Sequence, residues 1–90
     1  MAEPKVTVGG TPNPNAAKFT VDRTLVEGRG RTYANAQEAR SDPLARSLFE
    51  IDGVASVFVV DNFVTVTKEA EASWDDLAPR VTQAIQKSVA

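Results

Sequence analysis

Short segments in which apolar and polar residues alternate predict several β-strands along this chain. Residues 6–8 form the first segment and residues 17–21 the second. Together they predict an antiparallel hairpin whose connection is longer than the common two-residue turn. A third, weaker strand is expected from Leu25 and Val26 together with residues 31–33, because glycines interrupt the pattern between them.

Residues 55–60 and 63–68 are rich in β-branched residues, and only Asp61 and Asn62 separate them. This arrangement predicts a hairpin with a two-residue turn. The pairing it implies places four valines on one face, which we assign to the core. The other face is also apolar, and we expect that either the chain itself covers it or it is an exposed patch that pairs with a partner or, weakly, with another copy. Its apolar members are Phe58, Val60 and Phe63.

Helical spacing of apolar residues predicts a first helix over residues 43–51. Pro43 suits the first helical position, Ser41 or Asp42 can cap the helix, and Gly53 can end it. The polar run 35–40 before it also favours a helix.

A second helix is expected to begin after Ser73 and to continue to Val89. Pro79 lies inside this segment, where it would either kink the helix or begin its main part. The order of elements favours an α+β fold, a two-layer sandwich of a mostly antiparallel sheet with two helices packed on one face. We expect residues 1–90 to form one domain.

The composition excludes several kinds of chemistry. The chain has no cysteine and no histidine, so it offers neither thiolates nor imidazoles to a metal or a catalytic triad. We therefore expect no cofactor and no metal site. Ten basic and twelve acidic residues give a net charge of −2, which provides no general attraction to nucleic acid or to anionic membranes. Because the chain lacks a long apolar segment and an apolar leader, a cytoplasmic location is expected.

The segment from Thr11 to Asn15, here called the Pro-Asn loop, is the first candidate site. Its prolines remove backbone donors and its asparagines favour turns, so it predicts a stiff, ordered loop. The loop is either a structural connector or a rigid surface that presents Asn13, Asn15 and Lys18 to a partner. Its residues are Thr11, Pro12, Asn13, Pro14 and Asn15.

The Pro-Asn loop with Lys18 and Phe19 resembles the opening motif of the N-terminal domain of Nfu/NifU-type iron–sulfur cluster scaffold proteins. Residues 41–49, 51–54 and 56–58 resemble the second block of that family, and residues 63–68 and Trp74 continue it. The resemblance covers essentially the whole chain. In two-domain members a following domain with a Cys-x-x-Cys pair assembles the cluster, and these 90 residues contain no cysteine.

The resemblance therefore implies a non-catalytic accessory module linked to iron–sulfur cluster assembly. Its partners would be iron–sulfur assembly proteins or apo-target proteins, recognised through the Pro-Asn loop and the helix that begins at Pro43. A carrier that binds iron weakly through oxygen ligands is an alternative.

The start of the Pro43 helix is a second candidate for partner binding. Free amides at a helix N-terminus beside guanidinium groups can hold a carboxylate or a phosphate. The other interpretation is a solvated charged surface. The residues concerned are Arg40, Ser41, Pro43, Leu44 and Arg46.

Two further hypotheses receive less support from the sequence. The acidic residues Glu50, Asp52 and Asp61 lie near turns, and nothing in the pattern places them on one metal centre. A small enzyme would need a chemical pair from residues such as Lys18, Tyr33 and Asp61, and no Gly-rich phosphate loop accompanies them.

Overall fold

The computed structural model describes residues 5–89, except the side chains of residues 26–29 and 89. The strands are β1 (Val6–Gly10), β2 (Ala16–Val21), β3 (Val26–Tyr33), β4 (Val54–Asp61) and β5 (Phe63–Lys68); the helices are α1 (Pro43–Phe49) and α2 (Trp74–Val89). The five strands form one sheet in the order β1-β2-β5-β4-β3, and every neighbouring pair is antiparallel.

The predicted hairpin between β4 and β5 is confirmed in its register. Val60 pairs with Phe63, Val59 with Val64 and Val57 with Val66. Asp61 adopts a φ of 51° at the turn, a left-handed conformation that Asp tolerates better than most residues. The four valines of the inner face are at most 1% exposed.

The core lies between one face of the sheet and the two helices. Phe19 of β2 is fully buried there. Helix α1 contributes Ala45 and Leu48 to the same cluster, and α2 contributes Val81 and Ile85. The expected α+β sandwich with both helices on one face is therefore confirmed.

Two local predictions differ from the structure. Residues 36–41 form turns rather than a helix, because backbone N–H groups there bond to carbonyl groups three residues back and Pro43 keeps the preceding Asp42 in an extended conformation. Helix α1 ends at Phe49 rather than at residue 51, and the chain then turns through Gly53, whose φ of 101° favours glycine.

Helix α2 runs without interruption through Pro79. Ser73 caps its first turn, since the Ser73 hydroxyl accepts from the Asp75 N–H at 3.2 Å. Within residues 5–89, no helix is long and apolar enough to cross a membrane.

Candidate functional site

The Pro-Asn loop is held in one conformation by its own side chains. The Thr11 hydroxyl lies 2.9 Å from the Asn13 carbonyl oxygen and 3.1 Å from that of Ala16. It also accepts from the Asn13 N–H at 3.2 Å. The side-chain oxygen of Asn13 accepts from the Asn15 N–H at 2.9 Å, which forms an Asx turn. These bonds order the loop before any partner binds.

Two distant residues fasten the Pro-Asn loop to the rest of the fold. The Lys68 N–H donates to the Asn15 carbonyl oxygen at 2.7 Å, and the Lys68 ammonium donates to Asn15 Oδ1 at 3.1 Å. The Trp74 indole N–H donates to the Pro14 carbonyl oxygen at 3.2 Å. The side-chain oxygens of Asn13 and Asn15 therefore both accept hydrogen bonds from within the chain. Neither Nδ2 group donates a bond to another described residue.

A groove of about 260 Å³ adjoins the loop, between the edge strand β1 and the first turns of α2. Val8 is 46% exposed at this groove, although it faces the same side of the sheet as the core. We call the groove the β1 groove; its apolar lining includes Val8, Gly10, Ala17, Trp74 and Ala78. No pattern in the sequence marks this groove, because its two walls lie far apart in the chain.

Lys18 does not lie beside the asparagines of the loop. It is exposed on the outer face of the sheet, and its ammonium nitrogen lies 4.1 Å from the centre of the Phe63 ring. The amino group thus forms a cation–π contact within the chain.

The N-terminal amides of α1 are already occupied. Asp42 caps the helix, and its Oδ1 accepts from the N–H groups of Leu44 at 3.1 Å and of Ala45 at 3.3 Å. An incoming anion would meet this carboxylate, so the expectation of free amides there is wrong. The flanking residues Arg40, Ser41, Pro43 and Arg46 are exposed.

The Pro-Asn loop and the start of α1 do not contact each other through hydrogen bonds among the described residues. The loop joins β1 to β2 at one edge of the sheet, whereas α1 packs against α2 and β4. The structure therefore does not bring the two predicted partner-binding segments into one site.

The outer face of the β4–β5 hairpin is partly covered by the chain itself. Phe58, Val60 and Phe63 are each half-buried. Lys18 covers the Phe63 ring, and a Cβ built on Gly30 would lie 2.7 Å from the Phe58 ring, so that ring packs directly on the Gly30 backbone.

The residues named for a possible enzyme are also kept apart. Tyr33 is buried on the helix side of the sheet, where its hydroxyl donates to Asp42 Oδ2 at 2.7 Å. Burial, and then the hydrogen bond to Asp42, raise the pKa of the Tyr33 phenol. Lys18 lies on the opposite face, and Asp61 lies in the β4–β5 turn.

Glu50 and Asp52 follow α1, while Asp61 lies at the β4–β5 turn. In the part of the chain that the structure describes, no three acidic side chains come close enough together to hold a metal ion.

Comparison with known proteins finds relatives over most of the chain. The chain is 40% identical to NifU-like protein 4, mitochondrial, of Arabidopsis thaliana over 75 residues. These matched residues cover 83% of this chain and 26% of that protein. It is 44% identical over 72 residues to the human NFU1 iron-sulfur cluster scaffold homolog, mitochondrial, covering 79% and 28% respectively. The chain thus spans about a quarter of the length of these relatives.

The expected cytoplasmic location is wrong by this comparison, since the names of these relatives place them in mitochondria. The expectation depended on the lack of an apolar leader. Mitochondrial transit peptides are amphipathic and rich in arginine, so that criterion does not separate the two compartments.

Solved structures share the fold. Protein SAV1430 of Staphylococcus aureus superposes with a TM-score of 0.79 at 29% identity, covering 90% of this chain and 98% of that one. A NifU-like protein of Saccharomyces cerevisiae superposes with a TM-score of 0.83 at 24% identity, covering 97% and 79%. The family model of the scaffold protein Nfu/NifU N-terminal domain matches residues 6–90. The predicted resemblance is confirmed, and the chain belongs to the Nfu/NifU N-terminal domain family.

Proposed function

We propose that this chain is a non-catalytic protein-recognition module of iron–sulfur cluster assembly. It recognises an assembly protein or an apo-target protein through the Pro-Asn loop and the adjoining β1 groove. The family membership supports the link to cluster assembly. The absence of cysteine and histidine from the sequence supports recognition, rather than cluster ligation, as the contribution of these residues.

The observation that carries this proposal is the ordered loop beside an open apolar groove. Asn13 is exposed, and bonds to Lys68 and Trp74 fix the loop. Binding a partner would therefore cost the loop little conformational entropy. The free Nδ2 donors of Asn13 and Asn15 supply polar specificity next to apolar area. That combination is typical of recognition sites.

The test changes these donors while it keeps the loop conformation. Asn13→Asp with Asn15→Asp retains both acceptor oxygens, and therefore the Asx turn and the contact with Lys68, but removes both Nδ2 donors. Gln37→Glu with Gln83→Glu is the matched control, because it makes the same two amide-to-acid changes at exposed positions elsewhere.

Affinity capture from the native cell, with the captured proteins identified by mass spectrometry, provides the measurement. We expect the loop variant to capture about tenfold less of the iron–sulfur assembly or target proteins than the control, with an unchanged melting temperature. Equal capture by both variants would contradict the proposal. Iron titration addresses the alternative, since micromolar binding at one defined stoichiometry would instead indicate an oxygen-ligand carrier.

A further inference from the structure

Among the described residues, no strand pairs with the outer edge of β1, so this edge presents backbone hydrogen-bonding groups outward. The Asp22 N–H donates to the Lys5 carbonyl oxygen at 3.1 Å, so Lys5 and Asp22 form a hydrogen-bonded pair of the β1–β2 ladder. Because such pairs alternate in antiparallel sheets, Thr7 and Gly9 also bond to β2. The N–H and C=O groups of the intervening residues therefore face away from the sheet; these residues are Val6, Val8 and Gly10.

Of the two edge strands of the sheet, β3 is protected against pairing with a further strand and β1 is not. Strand β3 carries Glu27, Arg29 and Arg31 in its sequence, and its register with β4 is interrupted between Val26 and Arg31. Charges and irregularities of this kind prevent edge-to-edge association. Strand β1 has neither: no residue of Val6–Gly10 is charged, and its pairing with β2 is regular over all five residues.

The β1 groove is open beside this unprotected edge. A Cβ built on Gly10 would meet no atom within 4 Å, so there is free space directly above its backbone. Val8 and Trp74 line the same groove. A strand that paired with β1 would place every second side chain on this side of the sheet, over the apolar lining.

We infer that β1 receives an extended, predominantly apolar segment of the partner protein as an additional strand of the sheet. The backbone of the segment bonds to Val6, Val8 and Gly10, and one apolar side chain enters the β1 groove near Gly10. This inference rests on the proposed recognition function and specifies its mode, β-strand addition.

A second copy of this chain fits the edge less well than a partner segment. Two copies that paired through β1 would bring together only five residues each, a contact about 17 Å long. Such a contact is too small for the roughly 1,200 Å² that a stable interface between folded proteins buries.

A display library of random peptides about ten residues long, selected against the whole chain, tests the inference. Gly10→Val fills the groove, whereas Gly9→Val adds the same side chain to the opposite face of the same strand. Both positions have room for a Cβ and neither has a positive φ, so both variants should fold. Val8→Pro, which removes an outward N–H and keeps the ladder to β2, tests the edge itself.

We expect the selected peptides to bind the wild type and the Gly9→Val variant equally, and to bind Gly10→Val and Val8→Pro about tenfold or more weakly. Bound peptide should slow amide hydrogen exchange at Val6, Val8 and Gly10. The inference is overturned if no peptide is enriched or if Gly10→Val binds as the wild type does. It is also overturned if the wild type sediments as a dimer that Val8→Pro dissociates, because a second copy would then occupy the edge.

Native capture with the same variants separates this inference from the proposed function. Loss of assembly proteins on Gly10→Val but not on Gly9→Val supports strand addition. If capture falls with the asparagine variant and persists with Gly10→Val and Val8→Pro, recognition by the loop stands and strand addition is wrong.

Discussion

The carboxylate of Asp42 connects helix α1 to strand β3. One of its oxygens accepts from the N–H groups of Leu44 and Ala45, and the other accepts from the Tyr33 hydroxyl at 2.7 Å. The sequence allowed either Ser41 or Asp42 as the cap. The structure decides between them, because the Asp42 carboxylate reaches both the helix amides and the buried phenol.

We expect Asp42→Ala to lower the free energy of unfolding by about 2 kcal/mol, since the helix loses its cap and a buried hydroxyl loses its acceptor. Ser41→Ala is the matched control. Its hydroxyl is exposed and bonds to no described residue, so the change should stay within about 0.5 kcal/mol. Urea unfolding measures both values, and equal losses would show that Asp42 is not the structural cap.

The raised pKa of Tyr33 predicts a loss of stability in alkali. Burial and the Asp42 bond favour the neutral phenol in the folded state, so its pKa lies above the unfolded value of 10.0. This contribution is complete below that pH and is lost as the pH rises through the folded pKa. Relative to Tyr33→Phe, the wild type should lose unfolding free energy above about pH 10.

Urea unfolding at a series of alkaline pH values measures this difference. Tyr33 is the only tyrosine in the chain, so tyrosinate absorbance also reports its titration directly. A constant difference between wild type and Tyr33→Phe across that range would contradict the assigned environment.

At the level of elements, helix α2 tolerates a proline that weakens it. Pro79 lies in the second turn and is exposed, and it supplies no N–H for the carbonyl group of Asp75. Pro79→Ala should therefore raise the free energy of unfolding by about 2 kcal/mol, or the melting temperature by roughly 10 °C in a domain of this size.

Calorimetry or circular dichroism measures the change in melting temperature. Gln83→Ala, at an exposed position one turn later, is the control and should have almost no effect. A lower melting temperature for Pro79→Ala would mean that the fold requires the proline, for example to set the direction of the first turn that carries Trp74.

Elements whose signals are local were predictable from the sequence. The β4–β5 hairpin depends on two adjacent strands and the Asp61-Asn62 turn, and even its register was correct. Residues 36–41 were not predictable in the same way. The side chains of Asn35 and Glu38 cap a first turn there, but Pro43 keeps Asp42 extended, so the turn does not continue as a helix.

At the scale of the whole molecule, the Pro-Asn loop was predictable from the sequence, whereas the β1 groove was not. Prolines and asparagines mark the Pro-Asn loop in the sequence alone. The β1 groove joins Val8 to Trp74, and its existence depends on how α2 packs beside the edge strand. No periodicity within either segment contains that information. A site built from distant elements becomes visible only when the strand order is known.

The outer face of the sheet poses the last whole-molecule question, whether it binds another copy. Phe63 lies beneath the Lys18 ammonium, and the Phe58 ring packs on Gly30, so the chain already covers much of this apolar area. We expect these aromatic rings to stabilise the fold and not an oligomer. Phe63→Ser should then lower the free energy of unfolding by about 1–2 kcal/mol and leave the sedimenting mass unchanged.

Thr65→Ser is the control on the same face of the same strand, and it should change stability by about 0.5 kcal/mol or less. Sedimentation over a wide concentration range gives the mass, and urea unfolding gives the stability. A wild-type mass that rises with concentration, and that Phe63→Ser restores to the monomer value, would contradict this prediction. That result would instead place the self-association surface at Phe58, Val60 and Phe63. A dimer formed edge to edge through β1 would be distinguishable, because Phe63→Ser would then sediment as the wild type does.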